Sequence, residues 1–320
     1  MSAGILGVQD WEWLLIAGIV LMLITIDIVG HVRSPHEPTL KEAATWTAFY
    51  VTLACSFGLY MYLVHGVDPS GEYFAGYITE YSLSIDNLFV FIIIIGSFKI
   101  PRKYQQKVLL YGIIIALVLR LIFIIVGAAI IERFVGIFFI FGLFLLYTAV
   151  QQLVPEGEDE EYKPNALVVF AQKHLRFKDT FETDKLLVKV EGKRAITPLF
   201  LCVAAIGSVD LMFALDSIPA VFGLTKEPFI VFSANAFALL GLRQLYFLID
   251  GLMERLVFLH YGLAAILGFI AFKLILHAFH GYNLLKFIPE PSTAVSLGFI
   301  VVTVIITVLA SVIASRGKKN

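Results

Sequence analysis

Nine stretches of about 20 or more mostly apolar residues, each long enough to cross a hydrocarbon core of about 30 Å, constrain this chain more than any other feature. They cover residues 11–30, 43–65, 73–98, 108–131, 134–153, 196–222, 228–249, 257–279 and 294–314. The expected fold is therefore all-α, a polytopic membrane protein of about nine transmembrane helices. Composition agrees, with 59% hydrophobic and 15% charged residues and a mean hydropathy of +0.87, well outside the range of a soluble domain. The first stretch does not read as a cleavable leader. Asp10 and Glu12 precede it where a basic region belongs, and no small-residue cleavage site follows.

Loop charges give the expected orientation. The loops after stretches 1, 3, 5 and 7, with the C-terminal tail, hold most of the 24 Lys and Arg residues, while the opposite side holds Arg133, Lys226 and Lys286. Basic loops stay in the cytoplasm, so the N-terminus is expected outside and the tail with Arg316, Lys318 and Lys319 inside. The net charge of −1 points to no particular partner, and nothing suggests nucleic acid. Cys55 and Cys202 lie in separate apolar stretches without a Cys-x-x-Cys or Cys/His grouping, which argues against zinc or a redox centre.

Two of the stretches carry the same acidic pattern, Glu80-Tyr-Ser-Leu-Ser-Ile-Asp86-Asn87 and Asp210-Leu-Met-Phe-Ala-Leu-Asp216-Ser217. An ionisable group at the centre of a membrane helix costs roughly 2.5–3.5 kcal/mol on insertion scales, so a repeated set implies use. The stretch that follows each pattern contains Leu-Arg-x-aliphatic-aromatic, at Leu119–Phe123 and at Leu242–Tyr246. Stretches 3–5 and 6–8 thus read as an internal repeat. An odd number of crossings per unit inverts the second copy, a plan that places transporter sites near the midplane between repeats.

The resulting division is residues 1–72, two peripheral N-terminal helices; 73–153, the first repeat; 154–195, a cytoplasmic loop; 196–280, the second repeat; and 281–320, a last helix with a basic tail. The loop begins with an acidic run over 156–161 and turns basic from Lys173 to Arg194. It reads as solvated, with room for a short helix or hairpin.

Carboxylates, hydroxyls and carboxamides are the hard oxygen donors that Mg²⁺, Ca²⁺ and Mn²⁺ prefer. Glu80, Asp86 and Asn87 supply them from one repeat and Asp210, Asp216 and Ser217 from the other, with Ser84 and Asn235 as possible additional ligands. Asn235 serves equally well as an interhelical hydrogen-bonding group. Four acids against Arg120 and Arg243 leave about −2 if all are ionised, which suits one divalent cation and lets the vacant site take up protons. The arginines are assigned to charge balance or gating. The competing reading is that acids and arginines merely lock helices together, since intramembrane charges do pair.

Helix geometry limits the site. Residues six apart are rotated by about 240° and separated by about 9 Å, so Glu80 and Asp86 cannot meet at one point without a break. Either Ser82 and Ser84 loosen the helix, or the two acids form separate stations on one path. Pro219, three residues after Asp216, favours a kink. Asp27, near the end of the first stretch, reads as interfacial, and His260, His277 and His280 as wet helix-end residues. The role of Lys273 stays open. No nucleotide loop, Gly-x-Ser-x-Gly or HExxH pattern is present, and Gly207-Ser-Val-Asp210 lacks the Gly-x-Gly-Asp signature of an intramembrane aspartyl protease. An enzyme is therefore not expected, nor a prosthetic group.

Glu80–Asn87, Asp216-Ser-Ile-Pro-Ala220, Pro228-Phe-Ile-Val-Phe-Ser233-Ala-Asn235 and Gly241-Leu-Arg243 resemble the TerC family of bacterial membrane proteins, closest to its Alx-type manganese exporters, over nearly the whole chain. The resemblance implies an inner-membrane exporter of Mn²⁺ that uses Glu80, Asp86, Asn87, Asp210, Asp216 and Ser217. One departure is Gly207, where Alx-type relatives often carry Glu. The alternative expectation is a non-transporting scaffold, or a stress-response or redox modulator, working through protein partners and the 154–195 loop.

Overall fold

A computed structural model describes residues 7–32, 37–153, 168, 169, 173, 177, 185–190, 193–249 and 258–317. Its helices are α1 (Asp10–Asp27, continued as a π-helical turn over Ile28–Val32), α2 (Leu40–His65), α3 (Val67–Ser97), α4 (Arg102–Arg133), α5 (Ile137–Gln151), α6 (Pro198–Phe222), α7 (Pro228–Ile249), α8 (Leu259–Gly281) and α9 (Thr293–Gly317). The chain is an all-α polytopic membrane protein.

Local chemistry sets the helix ends. Thr39 caps α2 by accepting from the Glu42 amide at 3.2 Å, and Thr197 caps α6 from the Phe200 amide at 3.4 Å, with Pro198 in the first turn. Gly66, at φ +96°, turns α2 into α3 through a backbone conformation that favours glycine. The polar 154–195 stretch ends in a hairpin, β1 (Leu187–Val190) against β2 (Lys193–Ile196), in register from Leu187↔Ile196 to Val190↔Lys193. The acidic run over 156–161 and most of the rest of that loop lie outside the described residues, as do Lys318 and Lys319.

Among the described residues, eight helices are long and apolar enough to cross a membrane; the exception among the nine expected is α5. Its 15 residues span about 22 Å at 1.5 Å per residue, short of a hydrocarbon core of about 30 Å. Phe134–Gly136 is spent on the turn from α4, and Pro155 follows closely in sequence, where the residue before proline disfavours helix.

The centre of the bundle is α7: 94% of its apolar window is buried, against 22% for α1 and 17% for α9. Exposed Leu14, Leu63 and Ile313 suit contact with lipid. Helices pack crosswise between the two triads. α3 lies on α7 as α6 lies on α4, α3 touches α8 as α6 touches α5, and α3 with α6, α4 with α7 and α5 with α8 also meet. α2 packs against both α3 and α7, so it supports the centre of the bundle.

Candidate functional site

The acidic pattern of α3 falls along one stripe. Glu72, Gly76, Glu80, Ser84 and Asn87 follow one another at intervals of three or four residues, which keeps them on one helix face. Gly76 lets that face come close to its neighbours: a Cβ there would sit 3.2 Å from Val221 of α6 and 3.4 Å from Ala234 of α7. α3 is continuous from Val67 to Ser97, and α6 runs unbroken through Pro219. With no break in α3, Glu80 and Asp86 stand at two separate places, called the first and second stations below.

The first station is organised by Arg120 of α4. Its Nη1 donates to Glu80 of α3 in a close ion pair, to Asn235 Oδ1 of α7 at 2.8 Å and to Ser217 Oγ of α6 at 3.1 Å. Its Nε and Nη2 reach the two carboxylate oxygens of Asp210 on α6, both at 3.2 Å. Arg120, Glu80, Asp210, Ser217 and Asn235 are each at most 2% exposed. Glu80 Oε2 and Ser84 Oγ have no hydrogen-bond partner among the described residues. Such orphan acceptors are costly in an interior. Two buried carboxylates thus share one guanidinium, with oxygen donors to spare for a second cation.

The second station lies against α5. Thr148 Oγ1 is 3.3 Å from Asp216 Oδ1, and Gln152 Nε2 donates to Asp86 Oδ2 at 3.1 Å. Both aspartates are only partly buried. Thr148 in α5 and Gln152 just past its end are four residues apart, so one side of this helix end meets Asp216 of α6 and Asp86 of α3. Asn87 is buried on α3.

Arg243 goes elsewhere. It donates to Asp27 of α1 at 2.6 Å, and Asp27 also accepts from Tyr50 of α2 at 2.9 Å. Asp27 is 1% exposed, so it is a buried counter-ion and not an interfacial residue. The expected balance of two arginines against four site acids gives way to one arginine at the site and one bracing α7 to α1. Asn235 makes an interhelical hydrogen bond, accepting from Arg120 within the cluster. At Gly207, a Cβ would lie 3.0 Å from the Ile115 side chain of α4, so a larger residue there needs Ile115 to shift.

Residues 65–319 match the integral membrane protein TerC family. The chain belongs to that family. Over 98% of its length it is 46% identical to an uncharacterized membrane protein of Mycobacterium tuberculosis, covering 82% of that relative. It is 39% identical to the chloroplast thylakoid membrane protein TERC of Arabidopsis thaliana, over 90% of this chain and 73% of the relative. It is 38% identical to the Escherichia coli protein Alx, whose name marks it as a candidate membrane-bound redox modulator, over 91% and 92% of the two chains. No solved structure matches the chain.

This TerC chain also has a charged cavity of about 660 Å³ at one rim, lined in part by Glu72, Thr225, Lys226, Glu227, Lys273 and Glu290. Thr225 donates to Glu72 at 2.5 Å and Lys273 to Ser296 at 3.4 Å, which gives that lysine a polar neighbour at the rim. His277 and His280 both contact Glu290, at 3.0 and 2.9 Å. Burial alone would raise the Glu290 pKa, but the hydrogen bonds and charge of the two histidines hold it below the ordinary carboxylate range. Burial lowers the Lys226 pKa, against the opposing pull of Glu290. Sequence reasoning missed Thr148, Gln152 and Glu72. The usable signals were two polar residues at helical spacing near the end of an apolar stretch, and an acid eight residues before Glu80 on the same face.

Proposed function

We propose that this TerC protein exports a divalent metal cation, Mn²⁺ by its resemblance to Alx-type exporters, across the bacterial inner membrane. The N-terminus lies outside and the basic tail lies in the cytoplasm, following the loop charges. The observation that carries this reading is the Arg120 cluster: two repeat-related carboxylates, fully enclosed, sharing a guanidinium with hydroxyl and carboxamide oxygens around them. The donor set is all oxygen, which matches hard dications and not zinc or copper.

The physical sequence follows from charge. With no cargo, Arg120 is the tethered cation that offsets one of the two charges of Glu80 and Asp210 inside the bundle. An arriving dication offers two charges where Arg120 offers one, takes Glu80 and Asp210 as ligands with Ser84, Ser217 and Asn235 within the same cluster, and releases the guanidinium. Departure of the ion lets Arg120 return, so the site does not stand uncompensated. Asp86, Asn87 and Asp216 form the adjoining station on the path. Inverted repeats are supported by the crosswise packing of α3–α5 against α6–α8, and rocking of one triad against the other would open the site alternately to each side.

The test is metal flux in liposomes containing the purified protein. Mn²⁺ should move with the parent chain and fail to move with Glu80→Gln or Asp210→Asn; equal flux in all three overturns the assignment. The redox role in the name of the Escherichia coli relative would have to use Cys55, exposed on α2, or Cys202, buried on α6. Flux that survives replacement of both cysteines separates the two readings.

A further inference from the structure

Three helices run from the charged cavity at the rim to the Arg120 cluster, and on each of them one small or aliphatic residue stands between the two. On α3, Glu72 lines the cavity and Glu80 belongs to the cluster, with Gly76 halfway between them on the same face. On α6, Val221 separates Phe222 at the cavity from Ser217 at the cluster. On α7, Ala234 lies between Glu227 and Asn235. The three residues meet: a Cβ on Gly76 would sit 3.2 Å from Val221 Cγ1 and 3.4 Å from Ala234 Cβ, and Val221 and Ala234 are fully buried. Four helical residues rise about 6 Å, so this apolar contact lies one turn of α3 from either carboxylate. The cluster is shut on its other side by a second contact of the same kind. Ile206 of α6 is four residues before Asp210 and Gly112 of α4 is eight before Arg120, and a Cβ on Gly112 would lie 2.7 Å from Ile206 Cγ2. In both contacts a glycine of the α3–α5 triad meets buried aliphatic side chains of α6–α8.

We propose that the rim cavity is the outer vestibule into which the dication is released, and that the Gly76–Val221–Ala234 contact is the closed gate between it and the Arg120 cluster. Gly112 and Ile206 form the corresponding gate on the cytoplasmic side. The inference rests on the export reading above, with its orientation from the loop charges, and deepens it by naming where the ion leaves and what bars it. A contact this tight has no room for a file of water and presents no side-chain oxygen to replace a hydration shell, so a cation cannot cross while it is closed. Each gate joins the two triads. Rocking of one against the other therefore parts one contact while the other stays shut. The cavity suits release. At roughly 30 Å³ per water, its volume of about 660 Å³ has room for an ion that regains its hydration shell there. Asp68, Glu72, Glu227 and Glu290 outnumber Lys226 and Lys273 around it, which favours entry of a cation, while the two lysines keep the hold weak enough for it to leave.

The experiment uses the full-length protein carrying Cys55→Ser and Cys202→Ala, in sealed membrane vesicles of either orientation, with labelled Mn²⁺ as the probe and Glu80→Gln vesicles as the blank. Two pairs of substitutions are introduced separately, Gly76→Cys with Ala234→Cys and Gly112→Cys with Ile206→Cys. Their Cβ separations of 3.4 and 3.6 Å are close to the roughly 3.5–4.5 Å that a disulfide spans. Oxidising the first pair should abolish net transport and Mn²⁺ binding from the outer face while binding from the cytoplasmic face persists. The second pair should exchange the two faces, and reductant should reverse both effects. Outer-face binding or net transport that survives oxidation of the first pair overturns the gate, as does loss of binding from both faces or failure of that pair to crosslink; the same results with the faces exchanged decide the inner gate. Ala234→Cys alone, a small change, gives a check independent of the paired variants. An impermeant maleimide added outside should label it faster when Mn²⁺ is supplied on the cytoplasmic side, whereas Lys226→Cys in the vestibule should label at one rate with or without the metal. Labelling of Ala234→Cys that ignores Mn²⁺ overturns the gate. A parent protein that moves no Mn²⁺ defeats the export reading itself, a result distinct from all of these.

Discussion

Arg120 and Arg243 occupy matching positions in two copies of one sequence motif, yet their surroundings have little in common. Arg120 is held from three helices by Glu80, Asp210, Ser217 and Asn235. Arg243 is held by Asp27 from a helix outside both repeats, itself steadied by Tyr50. The first arrangement has more acid than base and leaves Glu80 Oε2 without a partner among the described residues. The second is built on a close Asp27–Arg243 pair. A repeated residue therefore need not have a repeated role: a buried arginine becomes part of a site or part of a brace according to the counter-ions that packing brings to it.

The strongest way to break this contrast is Asp27→Ala. It leaves Arg243 in the interior without its carboxylate and should cost about 3–5 kcal/mol of stability, seen as a large fall in thermal unfolding midpoint in detergent. If the variant kept its stability and lost only transport, the brace would be a second site. Glu80→Gln tests the other side. Mn²⁺ affinity in a direct binding assay on the purified protein should weaken by about 10–100-fold or more, the range in which even residues that only support metal ligands are felt, alongside the loss of flux. A change confined to stability would make the Arg120 cluster a brace as well.

Smaller substitutions sharpen the comparison. Tyr50→Phe removes one hydrogen bond to a charged acceptor and should lower stability by about 1.5 kcal/mol, with the concentration dependence of flux unmoved. The rim provides the mildest case. Glu290 has its folded pKa lowered by His277 and His280, so its contribution is fully present above the ordinary glutamate value of about 4.3 and is lost as pH falls through the lower folded value. Acid titration of stability should show a small step below the ordinary range, absent in Glu290→Gln. Its magnitude should stay under about 1 kcal/mol, because the group is partly exposed.

Much of this architecture was legible in the residues. Apolar length alone places eight of the crossings, and the repeated acidic pattern marks the helices α3 and α6 that meet at the Arg120 cluster. Hydropathy could not show that the fifth stretch makes a helix of only 15 residues, because the turn from α4 and the approach to Pro155 take apolar residues from its ends. The partner of Arg243 was equally out of reach. Several buried acids could have matched it, and only packing selects Asp27. Thr148 and Gln152 were invisible for a different reason: a threonine and a glutamine near a helix end are ordinary residues until the aspartates opposite them are known.

The brevity of α5 has an electrical consequence. Where a helix wall covers only about 22 Å, water and counter-ions can approach from the uncovered side, and the membrane voltage then drops over a shorter path. One elementary charge moving through the full drop exchanges about 2.3 kcal/mol per 100 mV, so ions bound beside the end of α5 would feel only part of that work.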